Sequence, residues 1–509
     1  MEETGHFTIR DLILSGNQDP YQPAIESPGY LPLTYRDFRM QILSVVKSLN
    51  ARGFNRNDRI AIITPSGPET AVCIIAVMAG FTSVPLNPQY KEQEYGDIFS
   101  RVGINAIIVQ RGYDTAAVTV AKSRAIPVLE LVPSDIAGKF DLVPDKSTSS
   151  TDAEFAIPSD IAFIKLTSGS TSVSKIVPVT QKQSAISKKR ICRHQKITSA
   201  DRFLHILPYY HGAGVGAALL SPLIAGATVI CTKDFIPSDF TYLLRTFHPT
   251  FYSAGPALNQ GILRALKKVP SDELKNHSLR YIRSGSGFLP GDIRRELEST
   301  LGVPVIEAYG MSEAGTIAIN TPPKRGSVGI PIIDSLAIID EKNEPLKPNN
   351  IGEIIIKDAA VFSGYEDAPE ENDAAFIDGW FRTGDLGYLD DEGYLFLTGR
   401  KKELINKGGQ KISPAEIDTV LKSHPRVRDA MAFGITEPVL GEDIEAMVVR
   451  ADDSVTEYEL HMFLLDRLVQ FKVPRRIYFV DEIPKTSTGK PRRHAGTERY
   501  SGQGHHNPS

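Results

Sequence analysis

The sequence predicts an α/β protein: a large N-terminal domain of layered α/β subdomains plus a small β-rich subdomain, followed by a small α+β C-terminal domain. Three observations carry that prediction. The chain has 509 residues, more than a single hydrophobic core organises. Short apolar, β-branched runs alternate with longer helical patterns through the first four hundred residues, the signature of substantially parallel sheets layered with helices. Beyond Pro322 brief strand-like pieces alternate with Gly, Asp and Asn turns, and beyond Arg400 a compact mixture of helix and strand begins.

Taken in order, the strands are expected at Arg59-Ile-Ala-Ile-Ile63, Ala106-Ile-Ile-Val-Gln110, Ala162-Phe-Ile-Lys-Leu166 and Ala227-Thr-Val-Ile-Cys231. The uncharged stretch from Ala71 to Tyr90 is long enough to suggest a membrane span. Gly80, Thr82, Ser83, Pro85, Asn87 and Pro88 interrupt it, so a buried helix followed by a strand is expected. The uncharged segment Ile206 to Thr232 is broken by Pro208, Pro222 and several glycines, and also reads as core. Segment 134–160, rich in Ser, Asp, Lys and Pro, reads as a surface connection. Gly352-Glu-Ile-Ile-Ile356 and Gly393-Tyr-Leu-Phe-Leu397 supply strands of the β-rich subdomain. The charged junction Gly399-Arg-Lys-Lys-Glu-Leu404 divides a domain spanning 1–400 from one spanning 401–509. Ser413-Pro-Ala-Glu-Ile-Asp418 opens a helix with Ser as N-cap, Pro at the first helical position and Glu416 completing a capping box. The final HAGTERYSGQGHHNPS is polar and Gly-rich, and is expected to fray.

Composition excludes some classes of function. A formal charge of −4 with 11 His gives no electrostatic grip on nucleic acid or an anionic membrane. Cys73, Cys192 and Cys231 are far apart, which argues against a disulfide framework and for a reducing compartment. The N-terminus lacks a basic region followed by an apolar core, so a cytoplasmic protein is expected.

Five loops carry chemistry. Leu166-Thr-Ser-Gly-Ser-Thr-Ser-Val-Ser-Lys175 packs six hydroxyls, one glycine and one lysine into ten residues at the end of an apolar strand. Such a run packs badly but offers donors to phosphate oxygens, and Gly169 lets the backbone approach closely. It is not a nucleoside-triphosphatase P-loop, because G-x-x-x-x-G-K-[ST] is absent. In Glu307-Ala-Tyr-Gly-Met-Ser-Glu313, an aromatic beside Gly310 can stack on a base and Glu313 can hold Mg²⁺; a buried Tyr and a helix-capping Glu are the plainer alternative. In Gly379-Trp-Phe-Arg-Thr-Gly-Asp-Leu-Gly387, a turn can present Asp385 to two sugar hydroxyls, or Asp385 is simply a turn aspartate. Thr398-Gly-Arg-Lys-Lys-Glu403 with Asn406-Lys-Gly-Gly-Gln-Lys-Ile-Ser-Pro414, and the lysine-tipped Pro484-Lys-Thr-Ser-Thr-Gly-Lys490, read alone as a solvated linker and a surface turn.

Their order and spacing, from about Pro85 to Lys490, resemble those of the adenylate-forming superfamily of acyl- and aryl-CoA synthetases, luciferases and peptide-synthetase adenylation domains. The stretch Lys401 to Pro414 is most similar to acid–CoA ligases of the oxalyl- and coumarate-type branches. The resemblance implies ATP-dependent activation of a carboxylic acid to an acyl-adenylate, then thioester formation with CoA. ATP, Mg²⁺ and CoA would be the cofactors. Thr167, Ser168, Gly169, Ser170, Thr171 and Lys175 would close over the β- and γ-phosphates. Here Ser172, Ser174 and Ile176 replace a glycine, the proline and another glycine of the usual T-S-G-T-T-G-x-P-K-G. Ser284, Gly285 and Ser286, with Gly287, would line the nucleotide and acyl pocket. Tyr309 beside Gly310 would stack on adenine, Ser312 would contact the α-phosphate, and Glu313 would hold the metal. Asp385 and Arg400 would bind the ribose, and Lys490 would meet the substrate carboxylate and α-phosphate.

The same resemblance implies a mobile C-terminal domain that turns about a hinge at Lys402. Lys407, Gly408 and Gly409 would then approach the pantetheine. His211 would stand at the pocket mouth, unless it is a satisfied core histidine. No Asp stands between Leu204 and Lys233, so an α-ammonium would go unpaired and the acid is expected to lack one. Tyr209, Tyr210 and Tyr252 are expected to flank an aromatic or medium apolar chain. No Arg or Lys is clearly placed for a second carboxylate, although Arg283 adjoins the pocket strand and leaves a dicarboxylic acid such as oxalate open. Two alternatives differ in acceptor or activity: a carrier protein's phosphopantetheine, with Arg426, Arg428, Arg475 and Arg476 as a docking face, or a catalytically silent nucleotide-binding member.

Overall fold

The computed structural model describes residues 7–14, 16, 18–143, 153–167, 174–285, 287, 289–486 and 490–500. Two sheets dominate the part before Arg400. The first runs in the order Phe140–Val143, Val128–Pro133, Ala106–Gln110, Arg59–Ile63, Thr82–Pro85, Ile161–Thr167 (β1) and Lys175–Thr180 (β2). Its five middle strands are parallel and antiparallel strands close both edges. The helix Gln181–His194 (α1) follows β2 and touches both large sheets. In the second, nine-stranded sheet, Phe251–Ala254 (β3), Tyr281–Ser284 (β4) and Val305–Met311 (β5) lie parallel side by side. Gly315–Ile319 (β6) then folds back antiparallel on β5.

The uncharged stretch after Ala71 is indeed a helix, Pro68–Gly80, with all 13 residues buried, followed by the strand Thr82–Pro85. A helix apolar all round has no face for water and belongs between layers. Among the described residues no helix is long and apolar enough to cross a membrane. Segment 134–160 is more than a surface connection, since Phe140–Val143 closes a sheet edge against Val128–Pro133.

The β-rich part is a five-stranded antiparallel sheet containing Trp380–Leu389 (β7) and Leu395–Arg400 (β8). A 3₁₀ turn, Lys401–Glu403, leads out of it. Ile405–Lys407 (β9) and Gln410–Ile412 (β10) begin another sheet, followed by the helix Pro414–Lys422 (α2). Two apolar clusters cover the faces of this sheet, and every buried member lies between Ile405 and Ile483. The α2 N-terminus departs from expectation. Ser413 is the N-cap and Pro414 the first helical residue, but Ser413 Oγ donates to Thr398 O (2.7 Å) and Glu416 pairs with Lys472, so no capping box forms. The tail departs as well: Arg493–Tyr500 (α3) is helical, and residues 501–509 lie outside the described part. Arg493 anchors it through Asp418 (2.8 Å) and Glu403 (2.9 Å).

Candidate functional site

The strand ends and the 3₁₀ turn open into one cleft of about 1880 Å³. A drug-sized ligand takes roughly 300–1,000 Å³, so a nucleotide and a second small molecule fit together. β1 and β2 pair so that Thr167 stands opposite Lys175 at the cleft wall. Ser168, Gly169, Ser170 and Thr171, and likewise Ser286, fall outside the described residues. Lys175 Nζ lies 4.3 Å from the ring centroid of Tyr365, whose hydroxyl donates to Glu313 Oε1 (2.9 Å). The cation, ring and carboxylate are thus fixed in a row at the strand ends.

The β5–β6 hairpin supplies the next wall. Gly310 is demanded by packing, because a Cβ there would lie 2.3 Å from the Gly315 carbonyl oxygen. Tyr309 is buried, and its hydroxyl donates to Asp385 Oδ2 (2.6 Å). Burial, then the Asp385 carboxylate, push that phenol well above its ordinary pKa, so it stays a donor. Arg400 Nε lies 3.0 Å from Asp385 Oδ1, which links β5, β7 and β8 at one point. Ser312, Glu313 and Gly285 line the cleft, whereas Ser284 is buried behind it.

Lys490 enters from the C-terminal part. It lies at the exposed rim, and desolvation by the enclosing walls, then Arg400, lower its pKa, with Asp385, Glu403 and Glu313 opposing. Lys402 and Glu403 also line the cleft, but Lys407, Gly408 and Gly409 do not. His211 is half-buried in the cleft with Tyr210 4.5 Å away, and its ring makes no hydrogen bond among the described residues. It is therefore not the satisfied core histidine. That description suits His205, whose Nε2 pairs with Gly214 O at 2.9 Å.

Two aromatic expectations are corrected. Tyr209 stacks on His205 in the core (4.3 Å), and Tyr252 is buried beneath the sheet with its hydroxyl on Asn259 (3.3 Å). Only Tyr210 of the three reaches the cleft. The sheet carrying Tyr252 is covered on both faces, so strand alternation sent that ring to the far layer. The reading that no Arg or Lys is clearly placed for a second carboxylate is also corrected, with Arg283 in the cleft as its place beside the pocket strand allows. Lys165, Lys188 and Arg283 all line the cleft. The available signals were a lysine inside the apolar run of β1 and Lys188 in helical register with Ser184 and Ile191. The proposed docking arginines are largely engaged: Arg426 pairs with Glu459, Arg475 with Glu445 (3.5 Å), and Arg428 donates to Asp481 O (3.0 Å).

Residues 15–366 match the family of AMP-binding enzymes, and residues 416–490 match the AMP-binding enzyme C-terminal domain. The chain belongs to the adenylate-forming superfamily. Within it, the chain is similar to an oxalate–CoA ligase of Arabidopsis thaliana, 37% identical across 94% of this chain and 96% of that one. A sulfoacetate–CoA ligase of Cupriavidus necator is 30% identical over 94% of each chain. The ATP-bound MatB structure from Rhodopseudomonas palustris superposes with a TM-score of 0.89 at 27% identity, covering 98% and 99% of the two chains. This AMP-binding enzyme therefore sits close to the acid–CoA ligases.

Proposed function

We propose that the cleft activates a carboxylic acid with ATP and passes the acyl group to CoA, making the chain an AMP-forming acid–CoA ligase. The observation that carries this is the meeting of Tyr309, Asp385 and Arg400 with Glu313 and Lys490 around one cleft. In the first step a carboxylate oxygen attacks the α-phosphorus of ATP. The bond to the leaving pyrophosphate breaks, giving acyl-AMP. In the second step the CoA sulfur attacks the acyl carbon, the acyl–phosphate bond breaks with its electrons on AMP, and the thiol proton is released. Little covalent work falls to the protein, so positioning and charge complementarity dominate.

Asp385 and Arg400 suit the ribose hydroxyls, an acceptor and a donor held rigidly together. Lys490 brings a cation to the point where carboxylate and α-phosphate must approach. Thr167 and Lys175 frame the entry for the outer phosphates. Mg²⁺ fits Glu313: one carboxylate oxygen is held by Tyr365, and the other has no hydrogen-bond partner among the described residues. Mg²⁺ takes one or two carboxylates and completes its shell with phosphate and water, where it would neutralise phosphate charge. His211 at the mouth suits a positioning role toward the acyl group. Lys407, Gly408 and Gly409 suit a second arrangement of domain 401–509 relative to 1–400, turned about Lys402. The separate apolar clusters of the C-terminal part support that division. Three unpaired cysteines support a cytoplasmic setting.

The test is pyrophosphate release with ATP and Mg²⁺ over aryl, short, medium and long acids, with and without CoA. Release with one acid class, followed by its CoA thioester, is expected. Release without a thioester would point to a different acceptor, and no release with any acid would remove the ligase reading.

A further inference from the structure

The nucleotide end of the cleft balances its charges, with Arg400 on Asp385 and carboxylates facing Lys490. The lining from α1 and β4 does not. Lys188 on α1 and Arg283 on β4 are each 3% exposed, yet both line the cleft. Arg283 donates to Ser253 Oγ (3.2 Å), Gln195 Oε1 (3.0 Å) and Ala217 O (2.7 Å), all neutral acceptors. Lys188 Nζ donates to Ser187 Oγ (3.1 Å). Among the described residues no carboxylate lies within ion-pair distance of either cation. Gln195, 4% exposed, has its amide oxygen fixed on Arg283, which leaves Nε2 as a buried donor without a partner at the cleft wall.

A buried cation without a counter-charge is costly, and so is a buried donor without an acceptor. Here both occur together, in a cavity, and all ask for the same missing group. An apolar acyl chain would leave them unpaired. A carboxylate oxygen pair would satisfy them.

Resting on the ligase reading, we infer that the acid activated here is a short dicarboxylate whose distal carboxylate is held by Lys188, Arg283 and Gln195. Shortness follows from the β5–β6 hairpin. A Cβ on Gly315 would lie 3.4 Å from Lys188 Nζ, while Ser312 in the same hairpin turn accepts from Lys165 at 3.0 Å. The cation group thus sits within one turn of Ser312 and Glu313, and a long chain has no room between them. Lys165, bound to that turn, adds positive field between the two ends and disfavours an acid with a cationic tail.

Matched pairs test this: oxalate against acetate, malonate against propionate, succinate against butyrate, by kcat/KM in pyrophosphate release. A site built around polar donors rejects an analogue lacking the partner by factors reaching about 10⁴. The native enzyme is expected to prefer the diacid in at least one pair by about 100-fold or more. K188M should lose most of that preference with KM for ATP unchanged, and K188R should restore part of it. Preference for monoacids, equal losses on both acid series, or a raised KM for ATP in K188M would overturn the inference. Should K188M not fold, thermal shift of the native protein decides: stabilisation by diacids alone supports the inference, and equal response to both series overturns it. Release confined to monoacids removes the inference and leaves the ligase reading standing, whereas no release with any acid removes both.

Discussion

Folding takes the Lys188 ammonium out of water with no carboxylate to meet it. Burial, then Lys165 and Arg283, lower its pKa from the ordinary 10.5 to about 7, with Cys192 opposing weakly. Burial also brings Lys165 to about 8, against the pull of Glu313. A depressed lysine binds its proton less tightly folded than unfolded. Between about pH 7 and 10.5 the unfolded chain therefore holds the extra proton, and stability rises with pH across that window. K188M removes the titrating group. Its thermal midpoint, followed from pH 7 to 10, should rise less steeply than that of the native protein and lie above it at the acidic end. Parallel profiles would mean that Lys188 stays solvated and charged. Of this group only Arg283, next to the pocket strand, is legible from sequence alone, because Lys165, Lys188 and Arg283 come from β1, α1 and β4, and only the packing of two sheets around α1 gathers them.

The hairpin of β9 and β10 shows the opposite case, where a local run of residues dictates an element. Its two-residue turn, Gly408 and Gly409, has φ of +59° and +84°. Positive φ at both positions is what a turn matching strand twist requires, and glycine adopts it without a Cβ clash. The family resemblance brings the same glycines toward the pantetheine, and the hairpin geometry gives them a structural reason as well. G409V places a β-branched residue at positive φ, at a cost of about 1–2 kcal/mol. A lower urea midpoint is expected, with thioester formation from supplied acyl-AMP falling more than acyl-AMP formation, since the turn lies outside the present cleft. Equal loss of both half-reactions would deny the hairpin a separate role. Motifs of this kind, the 167–175 strand ends and the 307–313 hairpin among them, were legible because their chemistry sits in consecutive residues. Ser413 is the N-cap that the sequence predicts, but the capping box does not form because Thr398, 15 residues earlier in the chain, takes its hydroxyl.

At the scale of the molecule, one small domain presents two surfaces, and only one faces the cleft. Lys490 shares the cleft with Arg400, Asp385 and Glu313, while Lys407 to Gly409 lie outside it on the β9–β10 hairpin. The chain passes from the β-rich sheet to the small domain through the 3₁₀ turn Lys401–Glu403, where Lys401 Nζ donates to Glu353 (2.9 Å) on the side of the β-rich sheet. Arg493 ties Glu403 to Asp418, so the end of that turn is held to the small domain and bending falls on the residues before it. On the proposed ligase reading, a cation at Lys490 would offset the repulsion as the carboxylate and the triphosphate, both anionic, are forced together. Once acyl-AMP exists that repulsion is gone, so on the same reading the thiol step would not depend on Lys490. K490A should therefore reduce acid-dependent pyrophosphate release by about 10²-fold or more, the scale of losing one transition-state charge contact. Thioester formation from supplied acyl-AMP should stay within a few-fold of native. Running both half-reactions on one preparation separates the cases: a selective loss assigns Lys490 to adenylation alone, and matched losses would mean that a single arrangement of the two domains serves both steps.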